Sequence, residues 1–429
     1  MIWGFLLGMA GATVLSGAVL GAALGLTGFA ILHLFAGGAA RIGVQTVWNT
    51  FNEFTLTAIP LFILLGEVLV ASGLAKGVYR ALAPIFARLP GGLLHTNIAV
   101  CTVFGAVSGS SMSVAAAVGS VAYPELKARG YDRAATVGSL AGGGTLGLLI
   151  PPSLSLLIYG ALTDTSIGRL FLAGVLPGLM MAGLFMAWIT FAAWRNPAIL
   201  PEERRVAFAE ALRGLVGVLP LLVLIVAVLG SLFAGLATPT EAAGVGVAAA
   251  MLLGFTAGEL TLRGLGVALI GTVRTFAVIA MVLIGALVLA QAISLLGLPQ
   301  QMLGVVAEWG LSRWVLLLVV VLIYLLLGCF FDGLSMMIMT LPLVFPLLTG
   351  AGFDPVWLGV MVTIMIEVGM LTPPVGMNLF VLVGITGGEV TLGEAARAAL
   401  PYWLALIAGL GIMCLVPGLA LWLPALAFS

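Results

Sequence analysis

Charged residues are scarce in this chain of 429 residues, of which 7% are Asp, Glu, Lys or Arg and 62% are hydrophobic. Soluble globular domains carry about 25% charged residues, so the composition excludes an ordinary soluble protein. The 16 basic and 16 acidic residues cancel, which gives no indication of a nucleic-acid partner. Long, nearly uncharged runs such as 215–233 and 314–327 point to helices in a lipid bilayer. The sequence therefore predicts an all-α polytopic membrane protein. Along the chain we expect a polar connector at 41–53, a charged linker at 195–213, a span at 274–296 and a last span at 400–423.

Cysteine and histidine are also rare. Cys101, Cys329 and Cys414 lie in apolar runs without metal-ligand spacing, and we expect them to be buried small residues. His33 and His95 start no ligand cluster, and no phosphate-binding glycine loop followed by Lys-Ser or Lys-Thr is present. These absences exclude an ATP-driven motor and give no support for an enzyme or a bound cofactor. The apolar N-terminus reads as a first span, as one tilted helix or as a helix with an interfacial piece.

The most unusual stretch is 104–124, which reads FGAVSGSSMSVAAAVGSVAYP and has a small, polar centre. Lipid cannot satisfy a bare backbone, so this centre must be buried in protein or line a wet cavity. The apolar halves on either side of it, 92–107 and 114–124, are each too short to span a bilayer. Basic residues flank both ends, at Arg88 and Lys127, which places both ends in the cytoplasm. We therefore predict a re-entrant helical hairpin.

A second break follows at 142–153, which reads GGGTLGLLIPPS. Two prolines in tandem remove two helical donors, so this motif predicts a broken transmembrane helix over 134–160. The simpler reading, a mere kink, stays open. We expect the hairpin break and the proline break to face each other and hold a solute.

An internal repeat supports this interpretation. At an offset of 222 residues, the second half repeats the helix-breaking and helix-capping residues of the first. The matches are Ser113/Ser335, Pro124/Pro346, Gly130/Gly352, Asp132/Asp354, Gly147/Gly369 and Pro151-Pro152/Pro373-Pro374. Five predicted crossings separate the two hairpins, and five is an odd number, so the second unit is predicted to be inverted. Inverted repeats with paired broken helices are typical of secondary transporters. An old duplication that now serves only packing is the alternative.

The breaks supply the candidate site residues. Exposed carbonyls at one half-helix end suit a hard cation such as sodium, and exposed amides at the other attract an anion. The candidates are Ser108, Gly109, Ser110, Ser111, Ser113, Thr145, Pro152 and Ser153 at the first break, and Asp332, Ser335, Thr372, Pro374, Gly376 and Asn378 at the second. Close helix packing is the competing role for the serines. The intramembrane acids Glu67, Asp332 and Glu367 are further candidates, although Glu67 could instead anchor a span near the interface.

The motifs themselves resemble a known family. SGSSMSVAAAVGSVAYPELKARGYD with GGGTLGLLIPPS, and DGLSMMIMTLPLVFPLL with GMLTPPVGMNLFVL, are similar to the two signatures of the large membrane subunit of TRAP (tripartite ATP-independent periplasmic) transporters, in the ion transporter superfamily. AIPLFILLGE at 58–67 fits as well, and the resemblance covers almost the whole chain.

The resemblance implies a sodium-coupled, elevator-type permease in the bacterial inner membrane. Its partners would be a small four-helix membrane subunit, a periplasmic substrate-binding protein and an organic acid. Sodium would be held near Ser108, Ser110, Ser111, Thr145, Ser335, Thr372 and Gly376, and substrate near Ser113, Pro152, Ser153, Asp332, Pro374 and Asn378. The predicted domains are a scaffold at 1–91 and 161–297, a transport domain at 92–160 and 298–385, and a C-terminal span at 386–429. A stand-alone sodium- or proton-coupled anion symporter of the same superfamily is the alternative.

Overall fold

The structure, a computed structural model, describes residues 4, 8, 9, 12, 19–197, 200–201, 214–374 and 376–428. Within these ranges the chain is helical and contains no β-strand. Seven of the described helical segments are long and apolar enough to cross a membrane. Most of the charged linker predicted at 195–213, and most of the first span before Val19, lie outside the described residues. The prediction of an all-α polytopic membrane protein is thus confirmed at the level of helix content and span composition.

The helix bounds are as follows. The first half contains α1 (Leu20–Leu34), α2 (Ala40–Asn52), α3 (Ala58–Ala71), α4 (Leu74–Phe86), α5 (Leu93–Ser108), α6 (Ser111–Ala128), α7 (Arg133–Leu149), α8 (Leu154–Thr163) and α9 (Ile167–Arg195). The second half contains α10 (Leu219–Phe233), α11 (Pro239–Thr256), α12 (Leu262–Leu295), α13 (Leu298–Glu308), α14 (Arg313–Gly328), α15 (Gly333–Gly350), α16 (Pro355–Leu371), α17 (Met377–Ile385), α18 (Leu392–Leu415) and α19 (Gly418–Ala427).

Helix ends recur at the spacing of the sequence repeat. Helix α15 begins at Gly333 and α6 at Ser111, a difference of 222 residues, and their last residues, Gly350 and Ala128, differ by the same number. Helices α7 and α16 match in the same way at both ends. Their N-cap aspartates also act alike, because Asp132 Oδ1 accepts the amide of residue 135 at 2.7 Å and Asp354 Oδ1 that of residue 357 at 3.0 Å.

The first predicted hairpin consists of α5 and α6, joined by only two residues. Gly109 adopts a left-handed conformation (φ 62°), which glycine allows without a Cβ clash, and Ser110 is extended and caps α6. The second arm is longer than the predicted 114–124, because α6 continues through Pro124 to Ala128. Tyr123 before the proline and Leu126 after it are both buried, so tertiary contact on this face outweighs the lost donor.

Three other boundaries correct the sequence expectations. The predicted polar connector 41–53 is helix α2, since Val44, Trp48 and Phe51 fall on one helical face. The span predicted to begin at Arg274 is the second part of α12, which runs for 34 residues from Leu262. The predicted last span 400–423 is two helices, because Pro417 cannot continue α18 and leaves Val416 outside the helical region.

Glycine lets the hairpins approach the broken helices closely. A Cβ on Gly105 of α5 would lie 2.9 Å from Cα of Gly147 of α7. A Cβ on Gly369 of α16 would lie 2.9 Å from Cα of Gly328 of α14. Helices α5 to α8 and α16 are the most enclosed, while the long helix α12 packs along α1, α2, α3 and α15. This packing brings α12 against the tips of both hairpins.

Candidate functional site

Both hairpin tips line one cavity of about 320 Å³. Ser110, Ser111 and Met112 come from the first tip, and the stretch Asp332–Ser335 comes from the second. Leu148 and Met370 contribute from the helices that precede the two proline breaks, and Arg274, Thr275, Val278 and Ile279 form the wall on α12. The cavity thus brings the two hairpin tips together, and neither of the tandem proline pairs lines it.

Each tip also lies against the proline break of its own half. A Cβ on Gly109 would lie 3.5 Å from the carbonyl oxygen of Pro152. In the second half, the Cys329 thiol donates to the carbonyl oxygen of Pro373 at 3.4 Å. The Pro151–Pro152 and Pro373–Pro374 peptide bonds are both cis. Tip and break thus form one layer of irregular backbone, which is tolerated at membrane depth only when protein or a cavity surrounds it.

The electrostatics of the cavity favour an anion on one side. Helices α6 and α15 begin at the cavity, so their N-terminal partial positive charges face it. Ser110 Oγ accepts the amide of Ser113 at 3.4 Å and Asp332 Oδ1 accepts that of Ser335 at 3.1 Å, which leaves other first-turn amides for a ligand. Arg274 adds a full positive charge, and Asp332 is the one acidic residue of the lining.

Arg274 is the main cavity-lining residue that the sequence does not single out. The hydropathy pattern predicts it to be the first residue of a span. In the structure it lies twelve residues after the start of α12, beside the two tips. The apolar run 265–270 before it was the available signal, because it shows that the hydrophobic segment begins earlier than Arg274.

The predicted site residues divide into two groups. Six line this cavity or a smaller neighbouring one: Ser108, Ser110, Ser111, Ser113, Asp332 and Ser335. The other eight lie in or next to the breaks but line neither cavity: Gly109, Thr145, Pro152, Ser153, Thr372, Pro374, Gly376 and Asn378.

Several residues of the second group have local partners. The Thr145 hydroxyl donates to the carbonyl of Gly142 at 2.6 Å. Ser153 donates to the Leu148 carbonyl and caps α8, where its Oγ accepts the amide of residue 156 at 3.3 Å. The Thr372 hydroxyl donates within α16 at 2.7 Å and accepts from Trp403 Nε1 at 3.0 Å. Asn378 is fully buried, and its amide group has no hydrogen-bond partner within the described structure.

Among the predicted intramembrane acids, Glu367 links the two halves directly. Its Oε1 accepts a short hydrogen bond from the Ser111 hydroxyl at the first tip. The residue is 1% exposed, and its Oε2 has no partner in the described part of the chain. A second-half helix is thereby tied to the tip of the first hairpin.

The described residues offer no cluster of the side chains that usually hold a metal ion. In the described ranges, no group of three or more His, Cys, Asp or Glu side chains could hold a metal ion. A cation at the tips would therefore depend on hydroxyl groups, backbone carbonyls and at most single carboxylates, which are ligands for hard cations.

Comparison with known proteins agrees with this architecture. Residues 7–419 match the family model "Tripartite ATP-independent periplasmic transporter, DctM component". The chain is 35% identical to the C4-dicarboxylate TRAP transporter large permease protein DctM of Pseudomonas aeruginosa, over 94% of this chain and 93% of that protein. It is 31% identical to the sialic acid TRAP transporter large permease protein SiaM of Vibrio cholerae, over 96% of each.

Among solved structures, the YdaH transporter of Alcanivorax borkumensis superposes with a TM-score of 0.66 at 17% identity, covering 91% of this chain and 90% of that one. This likeness concerns the fold alone. The family and these relatives are transporter components and not enzymes. The chain therefore belongs to the DctM family, the large permease components of tripartite ATP-independent periplasmic transporters.

Proposed function

We propose that this chain is the permease of a sodium-coupled uptake system for an organic acid, and that Arg274 and the two hairpin tips hold the carboxylate. The observation that carries the proposal is the cavity in which two helix N-termini and Arg274 converge. A carboxylate placed there gains charge-assisted hydrogen bonds from both the amides and the guanidinium. Relatives are named for C4-dicarboxylates and for sialic acid, which are carboxylates as well.

Sodium coupling is supported by the ligands around the tips. The irregular backbone at each tip and break offers carbonyl oxygens, and the serines at the tips add neutral hydroxyl oxygens. A sodium ion bound beside the cavity would offset the repulsion between a substrate carboxylate and Asp332. Coupling follows, since substrate then binds better when sodium is present.

The movement that we propose is of the elevator type. Hairpins and broken helices, at 92–160 and 298–385, would form the transport domain and slide against a scaffold that includes 1–91 and 161–297, with 386–429 as a C-terminal span. The recurrence of helix bounds at 222 residues and the odd number of intervening helical crossings support two repeats of opposite orientation. The boundary between the two domains would then run along the cavity, between the tips and α12.

The proposed partners are a small four-helix membrane subunit and a periplasmic substrate-binding protein, in the bacterial inner membrane. The family description names a tripartite periplasmic system, of which this chain is the large component. Exposed apolar side chains on α2, α10 and α12 suit a lipid bilayer or a helical partner.

The first experiment tests sodium without any partner. The purified chain is unfolded thermally in sodium, potassium and choline chloride at equal ionic strength. A ligand that binds only the folded state raises the midpoint with its concentration, so we expect a rise specific to sodium. Equal midpoints in the three salts would contradict sodium coupling.

The second experiment tests Arg274 with the complete system in proteoliposomes under a sodium gradient. Arg274→Gln removes the charge, and we expect uptake of a carboxylate delivered by the binding protein to fall at least about tenfold, as the loss of one charge-assisted pair implies. Arg263→Gln on the same helix, which does not line the cavity, is the matched control. Unchanged uptake in Arg274→Gln would refute the proposed carboxylate site. Uptake that needs no binding protein would favour the alternative, a stand-alone anion symporter.

A further inference from the structure

A second, smaller cavity of about 40 Å³ lies beside the large one. Ser110, Thr275 and Leu334 line both, so the two spaces adjoin at these residues. The small cavity is bounded by α3 through Ile63, Gly66 and Glu67, by the first hairpin through Ser108 and Ser113, and by Leu154 of α8. Roughly 10–15 Å³ of such space suffices for one water, so an ion with a water fits.

The polar side-chain atoms around this cavity are all oxygens, which hard cations prefer. Glu67 supplies a carboxylate, and Ser108, Ser110, Ser113 and Thr275 supply hydroxyls. The Ser108 side chain is 3% exposed, and its hydroxyl has no hydrogen-bond partner within the described structure. A buried hydroxyl without a partner loses free energy unless a ligand satisfies it.

The carboxylate also lacks a basic partner. No Lys, Arg or His of the described ranges forms an ion pair with Glu67. An acid inside a membrane protein is costly unless something pairs with it, and it is a functional-site candidate for that reason. Arg274 lines the neighbouring cavity but forms no ion pair with Glu67 in the described structure, so a cation bound in the small cavity would supply the missing direct partner.

Glycines hold this arrangement together. A Cβ on Gly66 would lie 2.9 Å from the Ser108 carbonyl oxygen, so α3 can approach the tip only because residue 66 has no side chain. A Cβ on Gly271 would lie 3.0 Å from Oε2 of Glu67, so α12 leaves room for the carboxylate at that position. Elsewhere on α12, Gly266 faces open space.

We propose that Glu67, Thr275 and the serines of the first tip form a binding site for one sodium ion, which bridges α3 and α12 to the hairpin. The site differs from sodium sites within the breaks because its charge and one hydroxyl come from helices outside the hairpin. It rests on the proposed function only in the choice of sodium as the ion. A bound ion there would fix the tip against α3 and α12, and its release would free the tip.

Sodium binding stoichiometry tests the site directly. The purified full chain is titrated with radioactive sodium, with choline chloride keeping the ionic strength constant. We expect Glu67→Gln to bind one sodium ion fewer than the unsubstituted chain. Glu308→Gln, an exposed acid on α13, is the matched control and keeps the full number.

Two glycine variants test the same site in case Glu67→Gln fails to fold. Gly271→Ala pushes a methyl group against the carboxylate, and Gly266→Ala makes the same change on the same helix in open space. We expect Gly271→Ala to weaken sodium binding at this site by about tenfold or more while Gly266→Ala leaves it unchanged.

The outcomes separate this site from the proposed function. If the unsubstituted chain binds sodium and Glu67→Gln and Gly271→Ala bind the same number with the same affinity, the cavity holds water only and the proposal is overturned. If the unsubstituted chain binds no sodium at all, both this site and sodium coupling are refuted.

Discussion

At the scale of single residues, Glu67 and Glu367 show how differently two intramembrane acids can be held. Glu67 is half-buried, faces a small polar cavity and has room for a counter-ion. Glu367 is enclosed on all sides, with one hydroxyl as its partner. Taking a carboxylate charge into such an interior costs several kcal/mol. We therefore expect Glu367 to be a neutral acid, whereas the cavity beside Glu67 leaves room for a counter-ion.

In the described part of the chain, Glu367 forms no ion pair. The charged side chains of the helices packed against α16 lie near helix ends, at Arg133 of α7, Arg169 and Arg195 of α9, Arg313 of α14, and Glu394 and Arg397 of α18. Asp354 caps the far end of α16, and Asp332 caps α15 at the second tip. In the described structure, none of them forms an ion pair with Glu367.

If Glu367 is neutral, the loss in the free energy of unfolding that Ser111→Ala causes should be small. The substitution removes one hydrogen bond to an uncharged group, so we expect a loss of about 1 kcal/mol in the free energy of unfolding. Glu367→Gln, which keeps the shape and stays uncharged, should cost a similarly small amount. Denaturant unfolding in detergent measures both, with Ser120→Ala on the same helix as the control. A loss of about 3–5 kcal/mol in Ser111→Ala would instead indicate a buried charge.

At the scale of elements, the base of the first hairpin is joined to the second half by Glu389. This residue lies in the loop between α17 and α18. Its carboxylate forms a short ion pair with Lys127, accepts the Tyr123 hydroxyl at 3.0 Å and lies 3.6 Å from Arg133. The donor groups of Lys127 and Tyr123 lower the pKa of Glu389. Both ends of α6 therefore contact the second half, through Glu367 at the tip and Glu389 at the base.

The lowered pKa of Glu389 determines the pH range in which this residue stabilises the folded protein. A depressed folded-state pKa stabilises the protein above the unfolded value, near 4.3, and the contribution disappears as the pH falls through the folded-state pKa. We expect Glu389→Gln to lower the thermal midpoint at neutral pH, and the difference from the unsubstituted chain to vanish in acid.

The measurement is thermal unfolding of both proteins from pH 7 downward. Glu125→Gln is the control, since in the described structure Glu125 forms its ion pair with Arg129, directly after the end of the same helix. Because the Lys127 and Glu389 side chains are partly exposed, added salt should reduce the difference in thermal midpoint that Glu389→Gln causes. A difference that persists unchanged at the lowest pH would show that the ion pair is not its origin.

Much of the order of the helices can be predicted from proline, glycine and helix-capping residues, because these residues act on the local backbone. Asp132 and Asp354 mark the starts of α7 and α16, and the tandem prolines mark their ends. What the sequence did not reveal depends on packing. Hydropathy alone predicts a span boundary at Arg274, because it does not show how far α12 extends towards the hairpin tips. Thr145 and Thr372 could not be ranked against Ser110, because their hydroxyl partners depend on the folded structure.

At the scale of the whole molecule, the two halves share helix bounds but differ in flanking charge. Arg88, Lys127 and Arg133 surround the base of the first hairpin, whereas Arg313 begins the second and the next basic residue is Arg397. Basic residues favour the cytoplasmic side, so this asymmetry supports opposite orientations for the two hairpins. Inversion matters functionally, because two inverted halves can exchange shapes and open a central site to either side in turn.

Cysteine labelling in intact cells tests the inversion. Single cysteines replace Arg88, Lys127 or Arg313 in a chain whose three native cysteines are changed to alanine, and a membrane-impermeant maleimide is added outside. We expect the probe to reach position 313 and not 88 or 127, because both ends of the first hairpin should lie in the cytoplasm. Labelling of 88 and 127 only after permeabilisation confirms that the sites are reactive. If 88 and 127 react from opposite sides, α5 and α6 together cross the membrane once and the hairpin is not re-entrant. If 313 behaves like 88 and 127, the two halves share one orientation and the proposed alternating mechanism fails with the inversion.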